Sequence, residues 1–101
     1  MSRQITENAV NALLACRNFK QSNTEVQYSK YNDVAVMYLF DNEIAIYNPT
    51  NKVLEITTCG WNTLTTRERL NGLPNVSVIQ RKGQLFLNGQ AWDGELITIQ
   101  L

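Results

Sequence analysis

Side chains able to do chemistry are few in this sequence, and the most informative one is missing. The 101 residues contain no histidine, which is the commonest general acid or base near neutral pH and the commonest metal ligand. A serine or cysteine nucleophile therefore lacks the imidazole that usually activates it. The five glycines stand singly along the chain, so no glycine-rich phosphate loop precedes a helix. We therefore predict that the protein is not an enzyme.

Carboxylates and thiols are the remaining candidates for catalysis or metal binding. Two acidic pairs each flank a predicted turn: Asp41 with Glu43, and Asp93 with Glu95. Acidic residues are common at such turns for solubility and local hydrogen bonding. Cys16 and Cys59 lack the Cys-x-x-Cys spacing of zinc and redox sites. We expect two free thiols, with a disulfide between them as the alternative, and we predict no metal site and no cofactor.

Basic residues suggest a nucleic-acid hypothesis. In this hypothesis a local basic patch consists of Arg67, Arg69, Arg81 and Lys82, with Lys52 nearby. Trp61 or Tyr47 would stack on a base beside this patch. Nine basic and nine acidic side chains give no net charge, so no overall field favours an anionic partner. Arg67 and Arg69 are also two apart on a predicted helix and point about 200° apart, so they serve different faces.

Aromatic residues suggest a protein-binding hypothesis instead. Tryptophan and tyrosine are the residue types that anchor protein interfaces. In a chain of this size we expect both Trp61 and Trp92 to lie in the core, whereas Tyr31 and Tyr47 border turns and are expected on the surface. Edge strands of a small sheet are natural sites for strand addition.

The spacing of apolar residues in the first half of the chain predicts one helix followed by several strands. The apolar residues Ile5, Ala9, Leu13 and Cys16 fall on one helical face, which predicts a helix from about Ile5 to Phe19. At the end of this helix we expect Asn18 to adopt a left-handed conformation. The strand-like segments after it are Thr24–Tyr28 at a sheet edge, a central Asp33–Phe40, Ile44–Tyr47 and Lys52–Thr58. A turn at Asp41 and Asn42 makes the middle two a hairpin.

A second, shorter helix is predicted over about residues 66 to 71. Thr65 and Glu68 have the spacing of a reciprocal capping box, and Gly72 is suited to a left-handed conformation after the last helical residue. Leu70 and Leu73 are expected to hold this helix by packing, together with Leu64 and Trp61 from the approach.

Three more strand-like segments follow: Val76–Gln80, Gln84–Leu87 and Leu96–Gln100. We therefore predict an α+β fold, a single domain over residues 1–101. One curved antiparallel sheet is expected to pack on the N-terminal helix, with the short helix between two β-meanders. No apolar run approaches the roughly 20 residues of a membrane span, and no signal-peptide pattern is present, so we expect a reduced cytosolic setting without membrane attachment.

Nearly the whole chain, from Asn8 onward, resembles a group of small proteins of tailed bacteriophages and prophages. The specific part is the run Gly60-Trp61-x-Thr63-x-Thr65-Thr66-x-x-Arg69-Leu70-Asn71. Weaker agreement comes from Asn23-Thr24-Glu25-Val26, Met37-Tyr38-Leu39, Ile44-Ala45, Leu87-Asn88-Gly89 and Trp92-Asp93-Gly94. The resemblance implies a phage accessory protein acting in the bacterial host cytoplasm, and it implies no particular activity.

Three functional hypotheses follow from the sequence. The first is a non-enzymatic phage protein that binds and modulates a host protein, host defence systems included, and the second is a nucleic-acid-binding accessory or regulatory protein. The third is a homo-oligomeric assembly protein whose edge strands pair between chains. The candidate protein-binding or nucleic-acid-binding residues are Trp61, Thr63, Arg67, Arg69, Arg81, Lys82 and Tyr47.

Overall fold

A computed structural model describes residues 2–101, with side chains from Gln4 onward. The two helices are α1 (Ser2–Leu14) and α2 (Leu64–Asn71). The nine strands are β1 (Phe19–Gln21), β2 (Thr24–Ser29), β3 (Val34–Leu39), β4 (Asn42–Asn48), β5 (Val53–Ile56), β6 (Val78–Arg81), β7 (Gln84–Leu87), β8 (Gln90–Trp92) and β9 (Ile97–Gln100). The fold is α+β, as predicted.

Helix α1 presents its apolar stripe to the sheet, and Ala9 and Leu13 are completely buried. It ends at Leu14, several residues before the predicted end near Phe19. The left-handed residue is Cys16, at φ 56°, and not Asn18. The Cys16 N–H donates to the carbonyl of Leu13 and the Arg17 N–H to that of Ala12, at 3.2 and 2.9 Å. This is the Schellman pattern, which satisfies the last helical carbonyls and turns the chain into β1.

The larger sheet has six antiparallel strands in the order β1-β2-β3-β4-β5-β9. The predicted edge segment Thr24–Tyr28 is an interior strand, because the three-residue β1 pairs with it from outside. β3 is interior, as predicted. Leu54 and Ile56 face the core together and are completely buried, also as predicted.

A bulge in β4 changes which side chains enter the core. Met37 pairs with Ala45 but Tyr38 pairs with Glu43, so Ile44 has no partner on β3. An extra residue in one strand lets two consecutive side chains point to the same side. Ile44 and Ala45 are accordingly both buried, each 1% exposed.

A second sheet of three strands, β6-β7-β8, corrects the prediction of one continuous sheet. Four strands follow α2, one more than the three predicted, because β8 forms within the segment around Trp92. The last strand, β9, returns to the larger sheet and pairs with β5. Buried side chains of both sheets and both helices nevertheless form one hydrophobic cluster.

Helix α2 ends at Asn71, as predicted, but it starts two residues earlier, at Leu64, and both of its caps differ from the prediction. Thr63 caps it: its side chain accepts from the Thr66 N–H, so Thr65 is not the cap, and Glu68 pairs with Arg69 instead of closing a capping box. Gly72 is right-handed, at φ −78°.

The reason for glycine at position 72 is space. A Cβ built there would overlap Cγ2 of Thr6 and lie 3.2 Å from Cγ2 of Val10, both on α1. Gly72 therefore allows the two helices to approach closely. Leu70 and Leu73 are buried, as predicted, whereas Leu64 and Trp61 are exposed and do not hold the helix.

Candidate protein-binding surface

Two of the predicted surface residues lie in the interior. Tyr47 is buried because the bulge keeps it on the core side of β4, between Ala35 and Leu54 on the neighbouring strands. Arg69 is 1% exposed, so its guanidinium is inside the molecule. Neither side chain is available to a partner in this structure, which corrects both predictions.

Arg69 joins three elements by hydrogen bonds. Its Nε donates to Oγ1 of Thr24 on β2, at 2.9 Å, and its Nη1 donates to Oγ1 of Thr6 on α1, at 2.8 Å. Nη1 also lies 2.7 Å from Oε1 of Glu68, whose side chain is partly exposed. We call Arg69 with Thr6 and Thr24 the arginine pocket. A buried charge requires such donors and acceptors around it, and all buried side-chain polar atoms of the described residues have hydrogen-bond partners.

The other basic candidates do not form one patch with Arg69. Arg67 lies on α2 and its Nη1 donates to Oδ1 of Asn62, at 2.7 Å. Arg81 and Lys82 are exposed at the tip of the β6–β7 hairpin, where Lys82 has φ 49°. Lys52 occupies the separate β4–β5 turn. The basic residues are thus distributed over three elements, with one of them buried.

Trp61 and Thr63 are brought together in an apolar cleft of about 270 Å³. Its other lining residues are Leu39, Phe40, Asn42, Ile44, Thr58 and Thr66. Trp61 is 61% exposed and Phe40 is 67% exposed, and Leu64, beside Thr63 in the chain, is 76% exposed. We call this surface the aromatic cleft. Large exposed apolar groups gathered at one place are typical of interaction sites.

Phe40 is the member that the sequence did not reveal. The turn between β3 and β4 consists of Phe40 and Asp41, because Leu39 pairs with Asn42, so it lies one residue earlier than predicted. Both turn residues are left-handed, at φ 50° and 66°. Such turns favour Asn-Gly or Asp-Gly, and a bulky residue at positive φ is unusual. The signal was an aromatic residue directly before Asp41, at the end of an alternating strand.

The base of the cleft is held by hydrogen bonds. The Thr63 and Thr66 hydroxyl oxygens lie 2.9 Å apart, and the Thr66 N–H donates to Thr63. The Thr58 N–H donates to the carbonyl of Gly94, at 3.0 Å. Gly94 has φ 88°, and a Cβ there would overlap Oγ1 of Thr58. This close approach fixes Thr58 on the cleft wall.

Several titratable groups outside the cleft have shifted pKa values with local structural causes. Asp33 accepts hydrogen bonds from the hydroxyls of Thr50 and Tyr28, which lower the pKa of its carboxyl, while the same contact with Asp33 raises the pKa of Tyr28. Burial raises the thiol pKa of both Cys16 and Cys59, which are free cysteines and not a disulfide. Nucleophilic thiols have lowered pKa values, so neither cysteine has that character.

Metal-ligand groupings of three or more acidic or cysteine side chains are absent from the described residues. Neither helix of residues 2–101 is long and apolar enough to cross a membrane. No curated protein and no solved structure matches the chain. The model of one protein family, described as Kyanoviridae Gp96 protein, matches residues 2–99. This match confirms the phage origin that the sequence resemblance implied, and the chain belongs to the Kyanoviridae Gp96 protein family, a family of phage proteins.

Proposed function

We propose that this phage protein is a non-enzymatic accessory protein that binds and modulates a protein of its bacterial host, in the host cytoplasm, through the aromatic cleft. Host defence proteins are among the candidate targets. The single observation that carries the proposal is the left-handed backbone of Phe40 combined with the exposure of its ring beside Trp61. Backbone strain and an exposed aromatic ring both oppose stability and solubility, so a role for the ring outside the fold explains their combination.

The character of the cleft favours a protein partner. Aromatic anchors around a small apolar depression are typical of the centre of protein interfaces. The chain has no net charge. Arg69 is buried, so it cannot contribute to the basic surface that nucleic-acid binding requires. Shape and apolar contact are therefore the means of recognition that we propose.

Substitution at Phe40 separates binding from folding. Asparagine adopts the left-handed conformation more readily than phenylalanine, so Phe40→Asn removes the ring while relieving the backbone. We expect unchanged or slightly increased thermal stability and loss of at least about 1 to 2 kcal/mol of binding free energy, the size of an interface anchor. Trp61→Ala is expected to weaken binding similarly.

The experiment is affinity capture from host lysate by the tagged protein and its variants, with and without nuclease, read by quantitative mass spectrometry. Tyr31→Ala is the matched control, because Tyr31 is a fully exposed aromatic residue outside the cleft. The proposal is supported if a host protein is still captured after nuclease treatment. The Tyr31→Ala variant should also capture this protein, whereas the two cleft variants, Phe40→Asn and Trp61→Ala, should not. Capture that disappears with nuclease would favour the nucleic-acid alternative, and equal capture by all variants would contradict the proposed surface.

A further inference from the structure

Strand β9 differs from the other sheet edges. Of the four edge strands in residues 2–101, β1 has three residues with Lys20 at its centre, and β8 has three residues. β6 is covered by Asn71, whose side chain donates to the carbonyl and accepts from the N–H of Val78, at 2.9 and 2.6 Å. Short length, lysine and covering groups protect edges from pairing with other chains. β9 has four residues, no charged side chain and no such cover among the described hydrogen bonds.

The register of β9 shows which of its backbone groups point outward. Ile99 lies opposite Leu54 and Ile97 opposite Ile56, and the Leu101 N–H donates to the carbonyl of Lys52, at 2.9 Å. Hydrogen-bonded positions alternate along an antiparallel ladder, so residues 97, 99 and 101 bond to β5. Thr98 and Gln100 therefore direct their N–H and C=O groups away from the sheet.

The core is also open beside this edge. Ile97 faces the same side as the buried Ile56 yet is 38% exposed. Next to it lies a cleft of about 260 Å³ lined by residues that include Leu87, Trp92 and Ile99. A strand added to β9 would place its inward side chains over Ile97 and into this cleft.

We propose that a second copy of this chain pairs with β9, antiparallel and two-fold symmetric about Thr98. In this register Thr98 lies opposite its own counterpart and Ile97 lies opposite Ile99 of the second copy. Residues whose N–H and C=O groups point away from the sheet then lie opposite such residues of the second copy. Both copies can therefore form antiparallel hydrogen bonds with each other. The two six-stranded sheets become one continuous sheet.

The charges at the two ends of β9 are complementary in this arrangement. Asp93 and Glu95 precede the strand, whereas Lys52 lies beside its far end, next to Leu101. Antiparallel pairing of two copies brings the acidic end of each strand to the Lys52 end of the other. Glu95 and Lys52 of different copies then lie on opposite sides of Leu101, where their exposed charges attract only weakly. The zero net charge adds no general repulsion between copies.

Mass measurement by size-exclusion chromatography with light scattering, over a concentration series of the full chain, tests the proposal. We expect the mass of two chains for the natural sequence. Thr98→Lys places two like charges opposite each other at the symmetry centre. Glu55, which lies opposite Thr98 on β5, offsets part of this repulsion, so we expect the dimer to weaken about threefold or more. Gln80→Lys is the matched control, since it adds the same charge to the exposed edge strand β6, and it should leave the mass unchanged.

A charge exchange makes the test specific for this register. Thr98→Glu alone should also weaken the dimer, whereas mixing it with Thr98→Lys should restore a mass of two chains. Hydrogen exchange supplies a second measurement: the Thr98 and Gln100 amides should be protected at high protein concentration and exposed at low concentration. A single-chain mass at every concentration, a dimer unaffected by Thr98→Lys, or a mixture that stays monomeric would each overturn the proposal.

Discussion

Arg69 of the arginine pocket and Trp61 of the aromatic cleft lie close together in the sequence, yet they reverse the usual distribution of residue types. Arg69 is buried and hydrogen-bonded to Thr6 and Thr24, while Trp61 is exposed. Charged residues are rarely buried unless they are paired, and large aromatic residues usually bury most of their surface. The comparison teaches that Arg69 fixes α2 to the fold, whereas Trp61 contributes little to the core and is the residue that we propose for contact with a partner.

Removing the arginine pocket tests the first half of this comparison and should have the largest effect. Arg69→Ala leaves a cavity and deprives the hydroxyls of Thr6 and Thr24 of a partner, so we expect a loss of about 3 to 5 kcal/mol in the free energy of unfolding. Arg67→Ala, two residues away and partly exposed, should change stability by less than about 0.5 kcal/mol. Urea unfolding of both variants measures the difference, and similar midpoints would show that Arg69 does not hold α2.

Filling the contact between the helices should have the next largest effect. Gly72→Ala forces its Cβ against Cγ2 of Thr6, which we expect to cost about 1 to 3 kcal/mol through overpacking. Thr6→Ser removes that methyl group but keeps the hydroxyl that binds Arg69. The double variant should therefore recover much of the loss in a double-mutant cycle. An additive double variant would mean that Gly72 is not required for the approach of α1.

The helix cap next to the aromatic cleft should have the smallest effect. Thr63→Ala removes the acceptor of the Thr66 N–H, which we expect to cost about 1 kcal/mol. Thr65→Ala removes no cap and should cost less than about 0.5 kcal/mol. Thermal unfolding of the two variants distinguishes these positions. A larger loss for Thr65→Ala would restore the capping box predicted from the sequence.

Local patterns predicted much of the fold. The apolar spacing in α1, the nearly continuous apolar run of β3, the strand patterns of β4 and β5, and the hairpin of β6 and β7 are each features that a single segment carries within itself. The three-residue strands β1 and β8 were missed because such short strands hold too few residues for an alternation to be visible. Their pairing partners, and not their own sequences, determine them.

The candidate site could be predicted only in part. Trp61 and Thr63 line the cleft, but the burial of Arg69 depends on Thr6, 63 residues away, and on Thr24, 45 residues away. No local rule indicates that these hydroxyls will surround a guanidinium. Phe40 was missed for a related reason, since the bulge at Ile44 and the turn register, which are tertiary features, place its ring at the surface.

The pairing of β9 with β5 also has a consequence for synthesis on the ribosome. Helix α2 and the three-stranded sheet separate these two neighbours in the sequence, so β5 has no outer neighbour until β9 has left the ribosomal tunnel. During translation the nascent chain therefore exposes an unpaired, apolar strand for the time needed to make the residues between them, and such exposure favours chaperone binding or misassembly.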